Sequence, residues 1–366
     1  MTELCKALRE GFSDRVELVG IGRPAGGGDG GPWLTGVAEG WSPFGNVGRN
    51  AMGLPAAIRR SGVAVFHAPA YTAPLRGATP VVLTIHDVSY QRHPEWYPYH
   101  RDPLRRWFYR RSAARAGRVI TVSEFSSREI QAAYGIDPLT ISVVPHGVGR
   151  AFATPEGAGQ RDADRTRVAE AIGAADAPFL LHVGDIHARR DLPVAVKALA
   201  ALRRRGGGLG SLRLVLVGTD RGGLAEVIRA AASESVADAV VVTSGLDDPS
   251  LAALYRTAAA FIYPSRYEGF GLPLLEAMAS GLPIVAARAG ATPEVVGDAA
   301  VLVEPGDVAA CVTAIDAILA APDDGMAADL RRRGRQRAMS FTWARAAERT
   351  VEVYESCLTR TSRSSS

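Results

Sequence analysis

Lysine is almost missing from this chain: Lys6 and Lys197 are its two lysines, and the remaining cationic side chains are arginines. Neither lysine lies in a loop that closes an apolar run, which disfavours chemistry built on a Schiff-base lysine. Cysteine is scarce too. Cys5, Cys311 and Cys357 are far apart and match no metal or redox spacing, which argues against a disulfide framework and fits a reducing compartment. No apolar run reaches the roughly 18 residues needed to span a bilayer, and no basic patch followed by an apolar segment opens the chain. The expected location is cytoplasmic, with peripheral attachment to the inner face of the membrane as the variant. No acidic DxD-type triad sits in a loop that demands a divalent metal; Asp247-Asp248 reads as the start of a turn and helix. A net charge of +4 over 366 residues is too small to imply nucleic acid, although it suits anionic phosphates. The arginine, alanine and glycine bias points to a GC-rich bacterial genome.

The chain is 47% hydrophobic and 22% charged, so it reads as globular. At about 150 residues per domain, its length suggests two domains. Short β-branched runs recur at Val63 to Phe66, Val81 to Ile85, Val119 to Val122, Ile141 to Val144, Phe179 to Val183, Leu212 to Val217, Val240 to Thr243, Phe261 to Tyr263 and Ile284 to Ala286. Most are continuously apolar, as strands buried on both faces must be. Stretches with helical periodicity alternate with them, at Pro103 to Ala116, Leu192 to Arg203, Leu224 to Ala232 and Pro273 to Ala279. This alternation predicts an α/β protein with parallel sheets. The expected division is a first domain at 1–172, a second at 173–340, a helix at 341–358 returning to the first, and a disordered tail at 359–366. Thr154 to Ala177, rich in Gly, Ala and Asp, reads as the linker. Two doubly wound domains facing a central cleft place ligands on the loops that follow strands.

Two such loops carry chemistry. In the run from Tyr263 to Gly281, a strand ends at Pro264, a glycine-containing loop follows, and Pro273 marks a helix start. Unpaired N–H groups of Phe270, Gly271 and Leu272 at that helix N-terminus make an anion site suited to a diphosphate. Glu276, read as lying in the first turn, can lean back and accept hydrogen bonds from vicinal ribose hydroxyls. Glu268, in the preceding loop, is expected near the sugar. A single such glutamate is as often a solvated side chain or a favourable charge for the helix dipole. The second loop, Gly184-Asp-Ile-His-Ala-Arg-Arg-Asp-Leu, follows a strand and leads into a helix with Asp191 as the expected N-cap. Its Arg189 and Arg190 suit a pyrophosphate by charge and bidentate geometry.

Together, Gly184 through Leu192 and the Glu-x7-Glu element from Glu268 to Glu276 resemble the two signature regions of the retaining glycosyltransferases of family 4, which have the GT-B fold. Thr84-Ile-His-Asp, Val122-Ser-Glu-Phe-Ser, Val144-Pro-His-Gly-Val, Pro293-Glu-Val-Val-Gly-Asp-Ala-Ala and Phe341-Thr-Trp fall in the order that family shows, so the resemblance covers Val63 to Tyr354. It implies two Rossmann-like domains, with Glu276 on the ribose, Glu268 and the Phe270, Gly271 and Leu272 backbone on the donor sugar and phosphates, and Arg189 with Arg190 on the diphosphate. Arg190 stands where the family commonly has lysine. It also implies a catalytic, orienting role for His86 beside the reacting carbon. Gly218, Thr243, Gly245 and Leu246 are candidate base-binding positions by their place at and after strand ends.

The implied reaction moves a hexosyl group, mannosyl or glucosyl, from a GDP- or UDP-sugar to a glycan, lipid-linked or small-molecule acceptor, with no cofactor beyond the nucleotide-sugar substrate and no metal. The rival readings are a non-catalytic nucleotide-sugar-binding protein and a GT-B epimerase. The segment Arg101 to Arg118, with seven arginines around Leu104, Trp107 and Phe108, reads first as a solvated helix and second as a peripheral membrane contact. Chains that resemble this one open with a strand and a Gly-rich loop. Here Met1 to Leu8 already reads as the first helix, and Gly20 to Gly22 and Gly26 to Gly31 read as loop, so the expectation is an N-terminal truncation or a late start.

Overall fold

The computed structural model describes residues 2–22, 35–38, 53–97, 102–153, 159–173 and 177–363. Two units emerge, Met1–His146 with Trp343–Ser366, and Gly147–Thr342.

In the first unit the strands are β1 (Val19–Gly22), β2 (Thr35–Ala38), β3 (Phe66–Ala68), β4 (Val81–Thr84), β5 (Arg118–Thr121) and β6 (Ile141–Val143). β3 to β6 form a parallel sheet in that order, and β1 pairs in parallel with β2. Gly20 to Gly22, read as loop, is therefore strand; Gly26 to Gly31 lies outside the described residues. β3 starts at Phe66 because Gly62, at φ 66°, ends the Leu54–Ser61 helix, and Val63 to Val65 carry the chain across to the sheet. Successive residues of β4 point to opposite layers. Val82 joins Ile120, Val353 and Cys357, whereas Leu83 joins Val119, Ile130 and Tyr134. The layer under Val82 is the Trp343–Arg363 helix, which also packs Ala347 and Val351 against Leu8 of the Thr2–Phe12 helix. That helix runs on to Arg363 rather than ending at Leu358.

The arginine-rich segment forms the Pro103–Arg115 helix, capped by Asp102, whose carboxylate accepts from the Arg105 N–H at 2.9 Å. Arg106 reaches Gln91 and Arg115 reaches the Gly77 carbonyl. The arginines are spread around the helix rather than set opposite an apolar stripe, so the helix lacks the segregated faces that a lipid surface selects. No helix among the described residues is long and apolar enough to cross a membrane.

The second unit contributes β7 (Phe179–Val183), β8 (Arg213–Val217), β9 (Val240–Thr243), β10 (Ala260–Tyr263), β11 (Ile284–Ala287) and β12 (Val301–Val303). All six are parallel, in the order β12-β11-β10-β7-β8-β9. Sequence order therefore runs outward in one direction from β7 and in the other from β10. The seam between them is the topological switch point of a doubly wound sheet, where loops diverge and leave a crevice at the carboxyl ends of the strands. Leu199, Leu216, Ile262 and Ile315 lie in the helix–sheet core that holds this arrangement.

The division at Gly147 differs from the boundary read at 172. The Gln160–Ile172 helix, within the segment read as linker, packs on the Asp248–Thr257 helix of the second unit. Its Asp164 is buried and forms a two-pronged pair with Arg256, at 2.7 Å to each carboxylate oxygen. Burial pushes the Asp164 carboxyl up, but hydrogen bonds from Arg256 and Gln160 hold it net below its ordinary value. A folded-state pKa below the unfolded one gives stability that is present above the ordinary carboxylate pKa and lost as pH falls. Asp164→Ala leaves Arg256 without its partner, and a loss of about 3 kcal/mol is expected. Thermal unfolding at neutral pH should show it as a drop of roughly 6–12 °C; an unchanged midpoint would mean that the pair adds nothing.

Candidate active site

The loops after β7 and β10 meet at the switch point, and an ion pair ties them together. Arg190, in the Ala188–Arg190 turn after β7, is buried at 6% exposure, and Glu268, in the loop after β10, at 4%. The Arg190 guanidinium donates to the Glu268 carboxylate, to the Tyr263 hydroxyl, and to Ser265 Oγ at 3.3 Å. It also lies over the Tyr263 ring, 5.3 Å from the centroid. Burial works against its charge, yet Glu268 and Tyr263 raise the Arg190 pKa above its ordinary value. Arg190 Nε is buried with no hydrogen-bond partner. Arginine suits this place because its planar fork reaches several acceptors at once, where an ammonium is a single point.

This geometry changes the reading of the arginine pair. Arg189 and Arg190 are not two parallel cations: Arg190 turns inward to Glu268, and Arg189 stays half-buried at the loop surface. Glu268 is a buried, paired carboxylate rather than a solvated one. Asp191 is not a side-chain cap either. It sits at φ 49° with no capping bond, and its carboxylate accepts instead from Arg266 Nε at 2.7 Å. Arg266 N–H also donates to the Arg189 carbonyl at 2.8 Å, so the two loops are joined by backbone as well as by charge.

Beyond Glu268 the chain passes buried Phe270, whose ring meets Phe341 edge-on at 5.9 Å, to Gly271 at φ 95°, the N-cap of the Leu272–Ala279 helix. Among the described residues the Gly271 and Leu272 N–H groups have no hydrogen-bond acceptor, as expected for the first positions of a helix. Glu276 is the fifth residue of this helix, so it lies in the second turn and not the first. Its carboxylate accepts from the Tyr255 hydroxyl at 2.8 Å. Burial pushes the Glu276 pKa up to about 7, with the Tyr255 hydrogen bond opposing and Asp248 adding to the rise.

The two acidic positions are linked beneath the loops by aromatic rings. Tyr255 lies 5.6 Å from Phe261, Phe261 5.6 Å from Tyr263, and Tyr263 5.4 Å from His182 on β7. Phe261 and Tyr263 are alternate residues of β10 and so share one face of the sheet. Tyr255, Tyr263, Ser265 and Arg266 were not singled out from the sequence; Tyr263, Ser265 and Arg266 fall inside the informative run, whereas Tyr255 lies on a helix with no local signal.

The base-binding candidates lie along the next strands. Val183, Val217 and Thr243 are in register across β7, β8 and β9, which sets Gly218 beside Gly184 and places Gly245 and Leu246 in the loop after β9. A Cβ on Gly218 would come within 2.0 Å of the Gly184 carbonyl oxygen, so close backbone approach already accounts for this glycine. Among the described residues no three His, Cys, Asp or Glu side chains converge to hold a metal ion.

His86 belongs to the first unit, two residues beyond β4. Its carbonyl accepts from Ser126 Oγ at 3.0 Å, and its ring lies 6.1 Å from Tyr71 and 5.5 Å from His146. Burial lowers the His86 pKa, against the opposing effects of Asp87 and the Pro69 carbonyl, so the imidazole is neutral near pH 7. Tyr71 has φ 53°, an uncommon conformation for a bulky residue, and its amide is held by the Thr84 carbonyl at 3.0 Å.

Two units built on parallel α/β sheets, the second with its crevice at the switch point, have the architecture of the GT-B fold. Residues 2–151 match the model described as Glycosyltransferase Family 4, and residues 164–337 match that of Glycosyl transferases group 1. The chain belongs to this family. It is 35% identical over 306 residues to the MMP alpha-(1->4)-mannosyltransferase of Mycolicibacterium hassiacum, covering 77% of this chain and 66% of that one. Coverage of the next two curated relatives is 54% and 74% of their lengths. Among solved structures, sucrose-phosphate synthase from Thermosynechococcus elongatus superimposes with a TM-score of 0.76 at 21% identity, covering 96% of this chain and 91% of that one. Anabaena HepE in complex with UDP-glucose gives 0.72 at 19% identity, covering 97% and 95%.

One position tests how tightly the Glu268 loop is held. Gly290, at φ 59°, lies so close that a Cβ there would meet the Glu268 carbonyl oxygen at 2.5 Å and its nitrogen at 2.6 Å. Ala291 N–H donates to the same carbonyl at 2.9 Å. Gly290→Ala should cost at least about 1 kcal/mol from backbone conformation alone and push the Glu268 backbone aside. The expected readout is a lowered unfolding midpoint; a variant with the wild-type midpoint would show that the loop is not constrained here.

Proposed function

We propose that this chain is a retaining hexosyltransferase that moves a mannosyl- or glucosyl-type group from a GDP- or UDP-sugar to a sugar, lipid-linked or small-molecule acceptor. The observation that carries the reading is the convergence of Arg190, Glu268 and the Leu272–Ala279 helix, bearing Glu276, at the carboxyl ends of β7 and β10. The mannosyltransferase relative supports the mannosyl option, and the fold shared with a protein solved with UDP-glucose makes a glucosyl donor the other arm to test.

In this reading the sugar C1–O(phosphate) bond breaks as C1–O(acceptor) forms on the same face, and the acceptor hydroxyl proton passes to an oxygen of the leaving diphosphate. The protein's task is to stabilise that diphosphate with donors fixed in advance. Arg189 and the Gly271 and Leu272 N–H groups serve it directly. Arg190 contributes charge while holding Glu268 in one orientation toward the donor sugar, with Phe270 packed beneath the loop. Glu276 accepts from the ribose hydroxyls. Gly218, Thr243, Gly245 and Leu246 border the base. His86 takes the orienting role that the resemblance implies, as a neutral imidazole.

Glu276→Ala is expected to weaken nucleotide-sugar binding about 10-fold or more by calorimetry. An ionised carboxylate is the stronger acceptor for the two hydroxyls, so wild-type affinity should rise as pH passes upward through about 7, and the variant should lose that dependence. Glu268→Gln should lower kcat far more than it changes donor affinity. Unaltered donor binding in the Glu276 variant would refute the ribose role; sugar nucleotides interconverted without acceptor would point to an epimerase.

A further inference from the structure

Tyr255 is a buried residue that this scheme does not use. It is 0% exposed, and its hydroxyl makes one hydrogen bond, to Glu276 Oε2. The ring is gripped from two sides, edge-on by Phe152 at 5.7 Å and by Phe261 at 5.6 Å. Its helix, Asp248–Thr257, is fixed at its start by Asp247, which accepts from the Ser250 N–H at 3.0 Å, and near its end by the Arg256–Asp164 pair. The Phe152 carbonyl accepts from Ser280 Oγ at 3.0 Å, tying the same contacts to the C-terminal end of the helix that carries Glu276. A tyrosine with both torsions fixed by packing presents its hydroxyl at one point. The carboxylate of Glu276, on a side chain with three rotatable bonds, is thereby anchored through one oxygen.

We propose that Tyr255 is a positioning residue: it holds one oxygen of Glu276 so that the other oxygen, and the remaining lone pairs, face a ligand bearing vicinal hydroxyls, the ribose of a nucleoside diphosphate sugar. The inference rests on the ribose reading of Glu276. A carboxylate has about four acceptor directions. One is satisfied from within the protein, and the geometry of the others is set before the ligand arrives, which reduces the ordering cost of binding. Tyr255 itself touches no reacting atom, so its effect should fall on donor affinity and not on the chemical step.

The test is a double-mutant cycle in the full chain, with GDP-mannose and UDP-glucose as probes in calorimetry and in steady-state assays. Tyr255→Phe keeps the ring packing and removes the hydroxyl. It should raise Kd and KM for the bound nucleotide sugar about 3- to 10-fold, with kcat within about twofold of wild type. In the Glu276→Ala background the same change should add no further loss, because the two residues act as one unit. Glu276→Asp, which withdraws the carboxylate from Tyr255 but keeps the charge, should lose as much as Tyr255→Phe and again be non-additive with it. Wild-type affinity in Tyr255→Phe beside weak binding in Glu276→Ala would overturn this proposal alone, as would losses that simply add. Wild-type affinity in Glu276→Ala would overturn the ribose reading and this proposal with it.

Discussion

The second unit is organised around the buried pairing of Arg190 with Glu268. Two opposite charges at 6% and 4% exposure are tolerable only if each satisfies the other. Doing so forces the turn after β7 and the loop after β10 into a single arrangement. The parallel sheet brings these strands side by side although about 80 residues separate them in sequence. Removing either partner would strand a buried charge, a cost of about 3–5 kcal/mol, so the loops of the candidate site are held by the same interaction that fixes their chemistry.

The consequences spread outward from that pair. With the Glu268 backbone fixed, Gly290 and Ala291 can pack directly on it, and the chain leaves the loop at the angle that starts the Leu272–Ala279 helix. The helix begins with two amides that have no intrahelical acceptor and places Glu276 in its second turn, where its carboxylate accepts from the Tyr255 hydroxyl. Charge at the site is therefore graded. Arg190 is largely neutralised by Glu268, Arg189 is nearer the surface, and Glu276 is poised near neutrality by burial. The pairing of Arg190 with Glu268 spares the site the repulsion that two adjacent uncompensated cations would suffer.

Much of this was legible in the residues. The apolar runs of β7 to β10 lie where the sequence places them because strands buried on both faces leave an unbroken signal. Strand β12 was not found, since three residues carry too little pattern, and β1 was read as loop because its two glycines mimic a turn. Glu268, Arg190 and Glu276 were singled out, but their partners were not. That Arg190 faces Glu268 rather than solvent depends on the strand order, which sets β10 directly beside β7. Tyr255 and the Arg256–Asp164 pair are long-range contacts, and nothing within a few residues of either announces them.

The central claim is that the second unit, built around Arg190, Glu268 and Glu276, binds a nucleoside diphosphate sugar. The most direct measurement is calorimetric titration of the full chain with GDP-mannose, GDP-glucose, UDP-glucose and UDP-N-acetylglucosamine, with free GDP and UDP as controls. The account predicts saturable one-to-one binding with a clear preference for one base, retained in part by the free diphosphate. Absence of binding by every nucleotide sugar and diphosphate in the set would contradict it.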